Sequence, residues 1–184
     1  MTPDSKQEHM PIVLTRGIPG SGKTTMSTAL VADHSNRFMR INRDDIRRMC
    51  FGGDVYADPG RARDEGERMV SLIEVASARY ALEQGFIPVI DATSLNPGYL
   101  VRWTGMAGLL QTPLVVWDFP IGIEEAIRRD AARPHPVGAD VIRAIAGAHL
   151  DEGGALPAVP AGALRASGIE EVMALVSDTV GEPV

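Results

Sequence analysis

Short apolar runs alternate with longer stretches of helical periodicity along most of this chain. Met10–Arg16 (MPIVLTR) is largely apolar and runs into glycine, the pattern of a buried parallel strand feeding a tight turn. Lys23–Asp33 reads as a helix, Arg37–Asn42 alternates as a second strand, and Asp44–Cys50 is a short helix opened by acidic residues. Gly52–Gly60 holds Gly, Asp and Pro at turn density and predicts a loop. Arg61–Gln84 carries Met69, Leu72, Ile73, Ala76, Tyr80 and Leu82 near helical spacing, which predicts a long amphipathic helix closed by Gly85.

Phe86–Ile90 and Leu114–Phe119 are further strands, and Pro97–Leu110, Glu124–Ala132 and Ala139–Leu150 further helices. Strands alternating with helices in this way predict a parallel sheet covered on both faces, the three-layer α/β class. After Leu150 the composition turns to Gly, Ala, Pro and Val, with one helix at Ile169–Val176. The expected organisation is a flexible N-terminus over 1–9, a domain over 10–150, and a C-terminal extension over 151–184 packed on it.

Bulk properties exclude several classes. Met1–His9 lacks an apolar targeting core, and no apolar run reaches the roughly 18–20 residues that span a bilayer, so a cytoplasmic protein without membrane partners is expected. The single cysteine, Cys50, rules out an intramolecular disulfide and a Cys-rich metal site, and is expected to be partly buried. A formal net charge of −6 argues against coating nucleic acid non-specifically, although a local basic site stays possible.

Gly17-Ile-Pro-Gly20-Ser-Gly22-Lys23-Thr24 matches G-x-x-x-x-G-K-[ST] between a strand and a helix, where a phosphate loop belongs. Such a loop curls so that successive backbone N–H groups and the helix start face phosphate oxygens. Gly17, Pro19, Gly20, Ser21, Gly22, Lys23, Thr24 and Thr25 are the candidate phosphate-binding set, with Lys23 bridging β- and γ-phosphates and Thr24 ligating Mg²⁺ (or Mn²⁺). The fold expected is therefore a three-layer P-loop NTPase fold with a parallel sheet of four to five strands, to which the resemblance described below adds an arginine-bearing lid. The donor can be ATP, GTP or another NTP, since the loop does not read the base.

Ile41-Asn42-Arg43-Asp44-Asp45-Ile46-Arg47 begins at the end of the second strand, where doubly wound sheets bind ligands. Asp44 is the candidate general base and Arg47 a clamp for an acceptor phosphate, while Asp45 reads as a helix cap. Asp91 ends the third strand and is read either as a carboxylate that organises Mg²⁺ or the acceptor, or as an N-cap for the next turn; Thr93 is a candidate acceptor contact and Ser94 a weaker one. Arg129 and Arg133 stand one helical turn apart and can face one side. The alternative for that stretch is a solvated helix with Glu125–Arg129 pairing. His135 is read as an exposed loop residue, and of Trp103 and Trp117 the second is read as packing rather than base stacking.

The order of these pieces resembles the polynucleotide 5′-hydroxyl kinase family, typified by the kinase half of bacteriophage polynucleotide kinase-phosphatase and bacterial end-healing kinases. The pieces are Gly17–Thr25, Asn42–Arg47 (N-R-D-D-x-R), Asp91-Ala-Thr93-Ser94-Leu95-Asn96-Pro97, and Arg129 with Arg133. The resemblance implies phosphorylation of 5′-OH ends of DNA or RNA by an NTP, with Asp44 activating the hydroxyl, Arg47 holding the acceptor phosphate and Arg133, then Arg129, acting from a lid. Ala92 replaces an aspartate of the phage enzyme, so that acceptor contact does not carry over, and its D-x-D-x-T phosphatase motif has no counterpart in this sequence. A kinase of a metabolite, drug or nucleotide sugar is the first alternative: a basic path leading from Arg47, with Arg40, Arg43 and Arg48 as its other members, favours a polynucleotide, and a closed polar pocket a small molecule. A nucleotide-dependent switch is the second, and no N-K-x-D guanine signature supports it.

Overall fold

The computed structural model describes residues 10–52 and 61–180; the N-terminal 1–9 and, apart from Gly52, the expected loop lie outside the described residues. Five parallel strands form one sheet in the order β2-β3-β1-β4-β5, with β1 at Ile12–Arg16, β2 at Phe38–Asn42, β3 at Ile87–Asp91, β4 at Leu114–Asp118 and β5 at Leu164–Ala166. The first four fall within a few residues of their expected places. The fifth is three residues long and sits in the stretch read as an extension, where Val115 pairs with Leu164 and Trp117 with Ala166. A run that short has too little alternation to be seen as a strand before its neighbour is known.

Seven helices cover the sheet among the described residues: α1 (Lys23–Asp33), α2 (Arg43–Phe51), α3 (Arg61–Glu83), α4 (Pro97–Leu109), α5 (Ile123–Ala131), α6 (Ala139–His149) and α7 (Ile169–Val180). Strand alternation sorts the core into two layers. Ile12, Leu14, Ile41 and Ile90 face α2, α3 and α4, while Val13, Val89, Val115 and Trp117 face α1 and α7. A third cluster of Ile18, Leu95, Ala126, Ile142 and Ala146 packs α5 and α6 beneath the phosphate loop.

Several expectations are corrected. The buried face of α3 runs through Val70, Glu74, Ala78 and Ala81, whereas Met69, Leu72, Ala76 and Tyr80 are exposed. Ile73 and Leu82 do pack against the core. The stripe is displaced because a glutamate occupies a core position: Glu74 accepts from Arg43 Nη1 at 2.7 Å and from the Tyr99 hydroxyl at 2.5 Å. Those partners supply what burial takes away, though burial still raises its carboxyl above the usual range. Trp103 is fully buried, so it cannot stack on a base, and Trp117 is core as expected. Cys50 is exposed, since only Ile46 of the nine-residue α2 reaches the core.

Candidate active site

The sheet order reverses between β3 and β1, so the loops leaving these two strands part and open a crevice between them. The loop after β1 is the phosphate loop. Gly20 adopts φ +82°, and a Cβ there would come within 2.3 Å of the Ala126 carbonyl oxygen on α5. Only glycine allows that approach. Gly22, at φ +95°, takes the N-cap position of α1 without any side-chain cap, and the first turn carries no acid. The N–H groups of that turn are thus left to a ligand and favour an anion. Lys23 arches back, its Nζ donating to Ile18 O at 2.8 Å and Ser21 Oγ at 3.2 Å. Burial pushes its ammonium down to about 8, with the Asp91 carboxylate opposing and Arg133 adding to the fall.

The loop after β3 is tied to the phosphate loop by backbone and hydroxyl contacts. Gly17 N donates to Thr93 O at 3.0 Å, and Thr15 Oγ1 accepts from Ala92 N at 3.2 Å. Ser94 is held at φ +49° with its buried Oγ lacking a protein partner, a conformation that costs about 1 kcal/mol or more in a non-glycine residue. Asp91 itself is only 1% exposed. Its Oδ1 accepts from Thr24 Oγ1 at 3.3 Å, and its Oδ2 from Arg40 Nε at 2.8 Å and Asn42 Nδ2 at 3.0 Å. The cap of α4 is Asn96, which accepts from Gly98 N, so the N-cap reading of Asp91 is wrong. Asn42 is the side-chain cap of α2, accepting from Asp45 N, and Asp45 stands in the first turn, where its charge suits the helix dipole.

Asp44 stands in the first turn of α2, largely exposed, with Arg47 Nη1 at 2.6 Å from its Oδ1. Across from it, α5 ends at Ala131, so Arg133 lies just past the helix and one turn beyond Arg129. Arg129 Nε donates to Glu125 Oε1 at 2.7 Å, and hydrogen bonds from Arg128 and Arg129 draw the Glu125 carboxyl down to about 2. The pairing read as the alternative is therefore present, and Arg129 still reaches the site. Arg133 Nη1 lies 3.4 Å from Asp130 Oδ1, a contact that leaves its side chain 46% exposed.

A cleft of about 460 Å³ brings these parts together. Its wall holds Pro19, Gly20, Ser21, Gly22, Lys23, Thr24, Thr25, Asp44, Asp91, Thr93, Arg129 and Arg133. Met26, Asn42, Ala92 and Val137 complete it. Gly17 and Arg47 are not in the wall; Gly17 anchors the loop and Arg47 stands behind Asp44. Ser94 and the exposed His135 stay out of it too. The roles of Arg40 and Asn42 in holding Asp91 went unread, although the period of two along β2 puts both on one face and the register sets Asn42 opposite Asp91. Glu67 and Glu74, which grip the arginines of α2, carried no sequence signal beyond being charged.

The four arginines proposed as a basic path are all paired. Arg40 meets Asp45 and Asp91, Arg43 meets Glu67 and Glu74, Arg47 meets Asp44 and Glu67, and Arg48 meets Asp45. These carboxylates offset the charge of the four arginines. No described helix is long and apolar enough to cross a membrane.

Several solved structures share this fold. A chain of the Pnkp1/Rnl/Hen1 RNA repair complex superposes with TM-score 0.64 at 23% identity, over 76% of this chain and 44% of that one. Kti12 of Chaetomium thermophilum, in complex with ADP-AlF3, gives 0.62 at 17% identity, covering 93% and 100%. The APS kinase CysC of Mycobacterium tuberculosis, bound to AMPPNP and APS, gives 0.55 at 17%, covering 93% and 97%. At these identities the likeness is one of fold, and the chain spans under half the length of the RNA-repair chains it matches. A family model described as an AAA domain matches residues 12–150, a span that runs from β1 through both loops of the crevice to the end of α6, and the chain belongs to that family, with a P-loop kinase-like fold.

Proposed function

We propose that this protein transfers the γ-phosphoryl group of a Mg²⁺-bound NTP to the 5′-hydroxyl end of a DNA or RNA strand. The observation that carries the reading is the placement of Asp44 in the same cleft as the phosphate loop, with Arg47 hydrogen-bonded behind it. The N-R-D-D-x-R run that supplies both residues, and the similarity to a chain of an RNA repair complex, support this acceptor over others.

In this reading the first turn of α1 and Lys23 hold the β- and γ-phosphates. Thr24 and Asp91 offer adjacent oxygens, the donor set a hard divalent cation takes when phosphates and water complete its shell. Among the described residues no cluster of three or more His, Cys, Asp or Glu offers a metal cage of its own, which fits a cation shared with the nucleotide. Held there by Thr24 and Asp91, Mg²⁺ would supply positive charge that offsets that of the phosphates. Asp44 accepts the proton of the acceptor hydroxyl, whose oxygen forms a bond to the γ-phosphorus as the bond to the β–γ bridging oxygen breaks and the NDP leaves. Arg133 and Arg129 offset charge on the group in flight from the lid side. Arg47 holds the phosphate next to the reacting hydroxyl.

The neutralised arginines around Asp44 favour a second reading, a kinase of a small hydroxylated acceptor, since extended polynucleotide binding rests on surplus positive charge. Labelled ATP offered to 5′-OH oligonucleotides and, separately, to a panel of sugars and nucleosides separates the two. Label confined to oligonucleotides supports the first reading; label confined to the small acceptors replaces it with the second.

A further inference from the structure

Glu67, one and a half turns into α3, lies between two arginines of α2. Its Oε2 accepts from Arg43 Nη2 at 2.8 Å and from Arg47 Nη2 at 2.9 Å, while its Oε1 accepts from Arg47 Nε at 2.7 Å. The grip on Arg47 is bidentate along the Nε/Nη2 edge, which fixes the plane of the guanidinium as well as its position. With that edge held, Nη1 comes to lie beside Asp44 Oδ1 at 2.6 Å, at the wall of the cleft.

Packing of α2 on α3 has other supports besides this carboxylate. Arg43 Nη1 already pairs with the fully buried Glu74, Glu74 accepts from Tyr99, and Ile46 and Val70 share one core cluster. Glu67 is 28% exposed, at the edge of that seam. What it does control is where the Arg47 guanidinium points.

We propose that Glu67 is a positioning residue for the acceptor, holding the Nε/Nη2 edge of Arg47 so that its Nη1 side, beside Asp44, is turned to the acceptor's phosphate next to the reacting hydroxyl. This rests on the acceptor reading given above. Removing the grip frees a long side chain to sample other rotamers, and a misplaced binding group weakens acceptor use without touching the nucleotide site. The carboxylate acts through one arginine, so its effect disappears when that arginine no longer has the edge it grips.

The test measures transfer from Mg²⁺-bound ATP to a 5′-OH oligonucleotide by wild type, Glu67→Gln, Arg47→Lys and the double variant, with melting temperatures for each. Glu67→Gln is expected to lower acceptor kcat/KM by about tenfold to a hundredfold, mainly through KM, with the KM for ATP and the melting temperature close to wild type. In the Arg47→Lys background the same change is expected to add little, and Glu67→Asp is expected to recover part of the loss. An equal loss in both backgrounds, or an ATP KM that rises in step, overturns the proposal. A wild type that labels no oligonucleotide overturns the acceptor reading and this inference together; a labelled oligonucleotide with unchanged acceptor KM in Glu67→Gln overturns this inference alone.

Discussion

The Thr24 hydroxyl donates to Asp91 Oδ1 across 3.3 Å, joining the first turn of α1 to the end of β3. The other oxygen of Asp91 is held by Arg40 and Asn42, so the carboxylate has one orientation and presents Oδ1 to the cleft. If these two oxygens serve Mg²⁺, Asp91→Asn and Thr24→Ala each raise the Mg²⁺ concentration needed for half-maximal transfer and cut turnover by about 10²-fold. Titrating Mg²⁺ against rate checks this, and a titration curve that stays in place in both variants speaks against it.

Arg16 and Asp118, at the ends of β1 and β4, are both fully buried and paired through two hydrogen bonds of 2.7 and 2.8 Å. Arg165 on β5 joins the same carboxylate, and Arg16 Nη1 reaches the Ala158 carbonyl. Asp118→Asn leaves a buried guanidinium without its counter-charge at the root of the phosphate loop and is expected to cost about 3–5 kcal/mol of stability. Arg143→Ala, which breaks an exposed pair with Glu124, is expected to stay within about 1 kcal/mol. Denaturant unfolding of the two variants should show that contrast, and equal midpoints would refute the assignment of Asp118 as a structural hub.

Lys23 gives the site a pH signature. Burial lowers its pKa from 10.5 to about 8, so the folded protein binds fewer protons than the unfolded chain between those values. Stability without nucleotide therefore rises with pH through that window. Nucleotide binding runs the other way, because phosphate stabilises the ammonium and raises its pKa. Above about pH 8 binding takes up a proton and affinity falls, approaching tenfold per pH unit at the steepest. Calorimetric titration with ATP between about pH 7 and 9.5 measures it; a flat affinity across that range contradicts a charged Lys23 on the phosphates.

The parts of this fold that repeat a strong local rule were legible in the sequence. The phosphate loop announces itself by glycines that must approach α5 and cap α1, and Asp44, Asp91, Arg129 and Arg133, which all line one cleft, stand out because each lies at a strand end or on a helix period. Where long-range partners decide, the sequence was silent. Glu74 sits in the core with Arg43 and Tyr99 coming from α2 and α4 to meet it, and a charge at that position hides the buried stripe of α3, which runs beside Met69 and Leu72 rather than through them. β5 is a strand only by virtue of β4 beside it. The basic path around Arg47 looked positive in one dimension, but beside Asp44 and Asp45 of α2 itself, Glu67 and Glu74 of α3 and Asp91 of β3 come in to pair with it.

The most direct measurement is transfer of labelled γ-phosphate from ATP and from GTP to a short 5′-OH DNA strand and its RNA counterpart, comparing wild type with Asp44→Ala and Arg133→Ala. The account predicts label on the 5′ end that falls by about 10²–10³-fold in each variant while nucleotide binding and the fold persist. Label that survives the loss of Asp44, or nucleotide binding without transfer to either strand, would contradict it.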